Sequence, residues 1–266
     1  MPSNAPMGII HLQQGERKFQ LSRYAPGDDI APFVRHYWVV RWDLAGQEPY
    51  TQHVIPNPCV NLVIEQGSSA IFGPGKEKYG YHLKGQGSVF GVKFKPGGFY
   101  PFVKGAVSDL LEQPVGIDRV FDREPRALEA LVLSHSDDQR NVNLVEDMIR
   151  AKLPLPDEQV ALVNDMVDFI YAQPDMTKVD ALCEHFGMNI RTLQRLFDQY
   201  VGVSPKWVIK IARIQSAAET TDGNDTHDWA KLSMDLGYHD QSHFIKDFKS
   251  ILGQTPEAYA VSKRAK

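Results

Sequence analysis

Two short runs of polar side chains, with Arg195 of the first and Lys246 of the second fifty-one residues apart, offer the plainest chemistry in this sequence. Arg191, Thr192, Gln194 and Arg195 form one run, and Gln241, Ser242, His243 and Lys246 the other. These side chains suit double-stranded DNA: arginine bridges O6 and N7 of guanine, glutamine pairs with adenine, and serine, threonine or lysine holds phosphate oxygens. Such readout requires each run to stand on the exposed face of a helix that is held from behind by apolar residues.

The sequence supplies that support twice. Leu193, Arg195 and Phe197 are answered by Phe244, Lys246 and Phe248, and Gly202-Val203-Ser204-Pro205 by Gly253-Gln254-Thr255-Pro256, all at an offset of fifty-one. Upstream the offset is fifty, pairing Val179, Leu182, Cys183 and Gly187 with Trp229, Leu232, Ser233 and Gly237, so the second turn is one residue longer. Each copy reads as a helix, a glycine turn and a second helix opening on the N-caps Asn189 or Asp240. The pattern predicts two helix-turn-helix motifs, at about 178–199 and 228–250. Two solvated helix faces would not account for matched N-caps, turns, cation positions and terminal Gly-x-Ser/Thr-Pro.

Between the copies, Trp207 to Ala218 contains neither glycine nor proline and predicts a rigid connecting helix. Because the major groove recurs every ~34 Å on one face of DNA, a rigid connector lets one chain read two adjacent grooves. Lys206, Lys210 and Lys249 are placed for phosphate contact, whereas Arg213 suits either a phosphate or a buried structural pair. The unlike runs predict different half-sites for the two motifs.

Bulk charge does not carry the affinity. The net charge is −4, yet from Lys178 onward 12 Lys and Arg oppose 11 Asp and Glu. Binding must rest on a few placed cations. With 266 residues, two domains are expected. There is no apolar run of membrane-spanning length, and Met1 to Gly15 lacks the basic start and apolar stretch of a signal peptide, so a cytoplasmic protein with no membrane partner is expected. Cys59 and Cys183 read as reduced packing residues.

Tyr37–Val40, Val60–Ile64, Ala70–Phe72 and Val89–Phe94 are short, β-branched and aromatic, and bounded by turn residues. They predict an antiparallel barrel or jelly-roll-like domain. Helical spacing follows from about 116 to 152, as a pair of packing helices or a dimerisation element. Leu153-Pro154-Leu155-Pro156 then breaks the chain. The fold class is therefore α+β multidomain: a β-rich sensor or interaction domain with flanking helices at 1–153, and an all-α DNA-binding domain at 157–262. A helix from about Asp157 to Tyr171 braces the first motif, and Thr177 with Asp180 approximates a capping box for the next helix. Trp38, Trp42, Tyr81 and Phe90 are candidates to line a ligand pocket, with core packing the commoner use of such residues.

The C-terminal hundred residues resemble the AraC/XylS family of bacterial transcription regulators. The resemblance runs through Arg191, Leu193, Arg195, Phe197, Gly202, Ser204-Pro205, Arg213, Ala217, Leu236-Gly237-Tyr238, Asp240 to Phe244, Phe248-Lys249, Gly253 and Thr255 to Tyr259. It implies a seven-helix DNA-binding domain whose promoter-reading positions fall on the two polar runs. Thr220-Thr221 stands where the family has a leucine pair, and Asn189 replaces the more frequent serine. Tyr37-Trp38, Val54-Ile55-Pro56, Asn61-Leu62-Val63, Phe72-Gly73 and Gly91 to Phe99 are similar to a cupin-type N-terminal domain on a subset of these regulators. The resemblance implies promoter DNA as partner, with RNA polymerase, a small-molecule effector and a second copy of the chain as further candidates.

An alternative is a metal-dependent cupin-like enzyme fused to a DNA-binding module. It needs clustered ligands, commonly a His-x-His pair, and His53 and His82 stand alone between strands. No nucleophile elbow is present, and two cysteines cannot build the four-cysteine zinc module of an alkylation-repair protein. The expectation is a regulator without catalysis, cofactor or metal.

Overall fold

A computed structural model describes residues 15–103, 105–221 and 228–264, with the side chains of 262–264 left aside. The expectations for Met1 to Gly15 and for the polar stretch Thr221 to His227 therefore lie, apart from Gly15 and Thr221, outside the described residues.

Seven strands form in the first half: β1 Gln20–Tyr24, β2 Val34–Leu44, β3 Tyr50–Val54, β4 Asn61–Glu65, β5 Ala70–Phe72, β6 Tyr79–Leu83 and β7 Gly85–Phe94. Five build an antiparallel sheet in the order β1-β2-β7-β4-β5, while β3 and β6 pair only with each other. The architecture is antiparallel as expected, but among the described residues the sheet is open and no barrel closes. The reason lies in β3 and β6, which lie across one face instead of bridging the two edges: Tyr81 on β6 meets Trp42 of β2 edge-to-face at 5.9 Å and donates to the Glu65 carboxylate of β4. Sequence periodicity passes over β1, β3 and β6, where polar residues stand both at exposed positions, such as Thr51 and His82, and at the buried position of Gln52.

The other face of the sheet is apolar. Tyr37, Val39, Leu62, Ile64, Phe90 and Val92 pack there against Leu128 and Val132 of helix Pro125–Leu133 and Val145, Met148 and Ile149 of helix Asp138–Arg150. Both helices are capped by acids, with Glu124 accepting from Arg126 and Ala127, and Asp137 from Arg140.

The second half contains seven helices among the described residues: Glu158–Ala172, Val179–His185, Ile190–Leu196, Pro205–Thr221, Trp229–Asp235, Gln241–Leu252 and Pro256–Arg264. The Val179–His185 helix opens after Lys178 with no side-chain cap, so the expected Thr177 box does not form. Asp180 is one methylene short of the glutamate that such a box favours. The two halves are not separated by solvent. Phe33, Tyr100 and Phe102 join the core formed by Val163, Val167, Leu196 and Phe197, and Ile55 joins the core under the second motif. Tyr100 lies 4.2 Å from Tyr200 between ring centroids, and the backbone N–H of Gly97 donates to Oδ1 of the buried Asn164 at 3.0 Å.

Candidate nucleic-acid interface

Both recognition helices are started and stopped by the same devices. The Asn189 side chain accepts from the Thr192 N–H at 2.9 Å, and Asp240 accepts from the His243 N–H at 2.9 Å. That second bond, more than any other interaction, holds the Asp240 carboxyl below its ordinary value. The stops are Gly202 and Gly253, left-handed at φ 82° and 76°. The first helix ends in a π turn over Phe197–Val201, where the second stays α-helical to Leu252.

Between start and stop, Leu193, Leu196 and Phe197 are buried in the first motif, and Phe244 and Phe248 in the second. Arg191, Gln194, Arg195, Gln241, Ser242, His243 and Lys246 are exposed, and Thr192 is half-buried. Each polar run is thus gathered on one outward face. Ile190 was not singled out by its sequence, because an apolar residue at helical spacing reads as core. It is 47% exposed at the first position of its helix, where the second motif has Gln241. An apolar side chain at that end of a recognition helix matches the methyl group of thymine.

The extra residue of the second turn has a structural use. Gly187 and Gly237 both turn left-handed, but where Met188 alone leads to Asn189, Tyr238 and His239 lead to Asp240. Tyr238 is buried against Phe244, and its ring lies 3.6 Å beneath the Arg213 guanidinium. Arg213 also donates to the Leu236 carbonyl at 2.8 Å, and burial lowers its pKa. It therefore fastens the connector helix to the second turn. Lys210 is likewise engaged, with its Nζ 2.7 Å from Asp247 Oδ1 and 3.3 Å from Ser250. Lys206 and Lys249 are exposed.

The four aromatic residues considered for a ligand pocket do not share one. Phe90 is buried on the helix-covered face, 6.1 Å from Tyr37. Trp38 and Trp42 lie on the opposite face, flat over Gly91 and Gly87 of β7, where any Cβ would strike the indoles. Tyr81 joins Trp42 there. Among the described residues, no three His, Cys, Asp or Glu side chains gather as a metal set would, Cys59 and Cys183 are free thiols, and no helix is long and apolar enough to cross a membrane.

Residues 182–261 match the helix-turn-helix domain family, over both motifs. The C-terminal half carries an AraC-type helix-turn-helix domain. Ahead of this AraC-type domain, residues 22–116 match a domain of unknown function, DUF6597. The chain is 27% identical over 164 residues to an uncharacterised HTH-type transcriptional regulator of Haemophilus influenzae, an alignment covering 61% of this chain and 52% of that protein. The chain thus spans about half the length of that curated relative. Among solved structures, it is similar to the DNA-binding domain of AdpA in complex with a target DNA, at 21% identity, 41% and 96% coverage of the two chains and a TM-score of 0.35. It is also similar to ToxT from Vibrio cholerae, at 11% identity, 92% and 98% coverage and a TM-score of 0.40.

Proposed function

We propose that this chain is a sequence-specific, DNA-binding transcription regulator that reads two adjacent major-groove segments of a promoter. The observation that carries the reading is the pair of exposed polar helix faces on matched scaffolds, each with a side-chain N-cap and a left-handed glycine stop. Arg191, Thr192, Gln194 and Arg195 read one segment, and Gln241, Ser242, His243 and Lys246 the other. Lys206 and Lys249 hold phosphates; Lys210 does so only by leaving Asp247. The similarity to an HTH-type transcriptional regulator supports the same reading.

In this proposal the division falls at Leu153-Pro154-Leu155-Pro156, with a sensor or interaction domain before it and the DNA-binding domain after it. The protein acts in the cytoplasm without catalysis, and an effector or partner, RNA polymerase or a second copy included, shifts the balance between states through unequal affinity for them. The test is binding of the purified chain to a library of promoter fragments against bulk DNA over a range of salt. A salt-dependent preference for particular fragments is expected. Equal affinity for every fragment would sink the proposal.

A further inference from the structure

Lys93 lies on the central strand of the open sheet, only 7% exposed, and among the described residues it has neither a hydrogen bond nor an ion pair. Its register partner on β2 is His36 and on β4 is Asn61, so the three side chains leave the same face of the sheet. Two residues along β2, on that face, Trp38 pairs with Arg23 of β1 and with Gly91 of β7. The bare glycine leaves that part of the strand to the Trp38 ring. Arg35 adds a further cation nearby, with its charge directed to Asp168 at 3.2 Å.

These groups sense one another. His36 is acted on by Lys93, Arg23 and Arg35, and Lys93 by Arg35 and Arg23. Burial lowers the pKa of Lys93 and of Arg23, as it does for cations partly removed from water. An unpaired ammonium in such a place is destabilising. An acid arriving from outside would relieve that cost.

We infer that Lys93, Arg23 and His36, with Asn61 beside them, form a binding site for a small oxyanion, the carboxylate or phosphate group of an effector. The site lies at the junction of the two halves. Arg35, next to His36 on β2, reaches Asp168 of helix Glu158–Ala172 at 3.2 Å, and Phe33 packs among Val163, Val167 and Ile170 of the same helix. An anion drawn to Lys93 therefore acts beside the helix that braces the first motif. The inference deepens the regulator reading, and its role in signalling rests on that reading; the site itself is measured without DNA.

The experiment titrates the full chain at neutral pH with sodium acetate and, separately, sodium phosphate, at an ionic strength held constant with sodium chloride. Melting temperature and tryptophan fluorescence, to which Trp38 beside the site contributes, are the readouts. A saturable response is expected, with the melting temperature rising by roughly 3–6 °C at ten times the dissociation constant. Response to acetate alone assigns a carboxylate, to phosphate alone a phosphate, and to both an oxyanion without preference. Lys93→Met abolishes the response, and Arg23→Gln weakens it by roughly tenfold or more. No saturable response in the parent chain, or an equal one in Lys93→Met, overturns the inference. If Lys93→Met does not fold, Arg23→Gln decides, and unchanged anion affinity in it overturns the site. Neither result bears on promoter binding, which the fragment assay measures separately.

Discussion

Single side chains in the two recognition helices make separable contributions because their supports lie elsewhere. Arg195 and Lys246 are exposed, so Arg195→Ala and Lys246→Ala should leave the melting temperature nearly unchanged while weakening promoter binding. A lost bidentate base contact costs about 1–3 kcal/mol, whereas loss of a phosphate contact lowers the salt slope by about one. Measuring affinity and salt slope together for both variants tells which cation reads a base; full affinity in both would show that these faces do not meet DNA. Gly202 behaves oppositely. At φ 82°, with the Val107 carbonyl 2.9 Å from where a Cβ would lie, Gly202→Ala meets both backbone strain and a fixed neighbour. It should lower stability by about 1–2 kcal/mol or more, read by chemical denaturation. Gly253→Ala carries the same strain but meets the flexible end of Lys78 at 2.7 Å, so its cost should be smaller.

At the scale of elements, the central strands carry the pH response. Burial, then Lys93, Arg23 and Arg35, push the His36 imidazole down to about 3, so it is neutral in the folded protein where the unfolded chain would take up a proton. Stability from this residue is fully present above its ordinary value of about 6.5 and is lost as pH falls from there toward about 3. His36→Gln should flatten the acid side of the stability profile across that window, measured as melting temperature against pH. An unaltered profile would mean that His36 is not the group taking up the proton. The helices of the second half were legible from local signals: apolar spacing, Asn189 and Asp240 as caps, and glycines at both turns and stops. Strands β3 and β6 were not, because most of their positions are exposed or half-buried and the buried position of β3 is the polar Gln52, so the apolar alternation that marks a half-buried strand is missing.

For the molecule as a whole, the halves share core. Phe33, Tyr100 and Phe102 pack with the helices of the second half, and Ile55 with the connector and second motif. A shared apolar core couples unfolding, so calorimetry should find one transition for the full chain. Two well-separated transitions would show that the junction contributes little. The same packing bears on regulation, since Gly202 and Gly253, at the ends of both recognition helices, lie so near the first half that an added Cβ would meet Val107 and Lys78.

The duplicated motif, its one-residue difference in the turn, and the outward polar runs were determined by the sequence alone, because helix caps, glycine stops and 3.6-residue spacing act within a few residues of chain. Tertiary structure decided the rest. It set the open sheet, placed Phe90 and Trp38 on opposite faces, engaged Lys210 with Asp247 and Arg213 with Tyr238, and buried Lys93 without a partner. These outcomes depend on which distant segments meet: Lys93 lies fifty-seven residues from His36 in sequence and beside it in the sheet. No local pattern encodes that register, which strand pairing and the burial of one sheet face fix together.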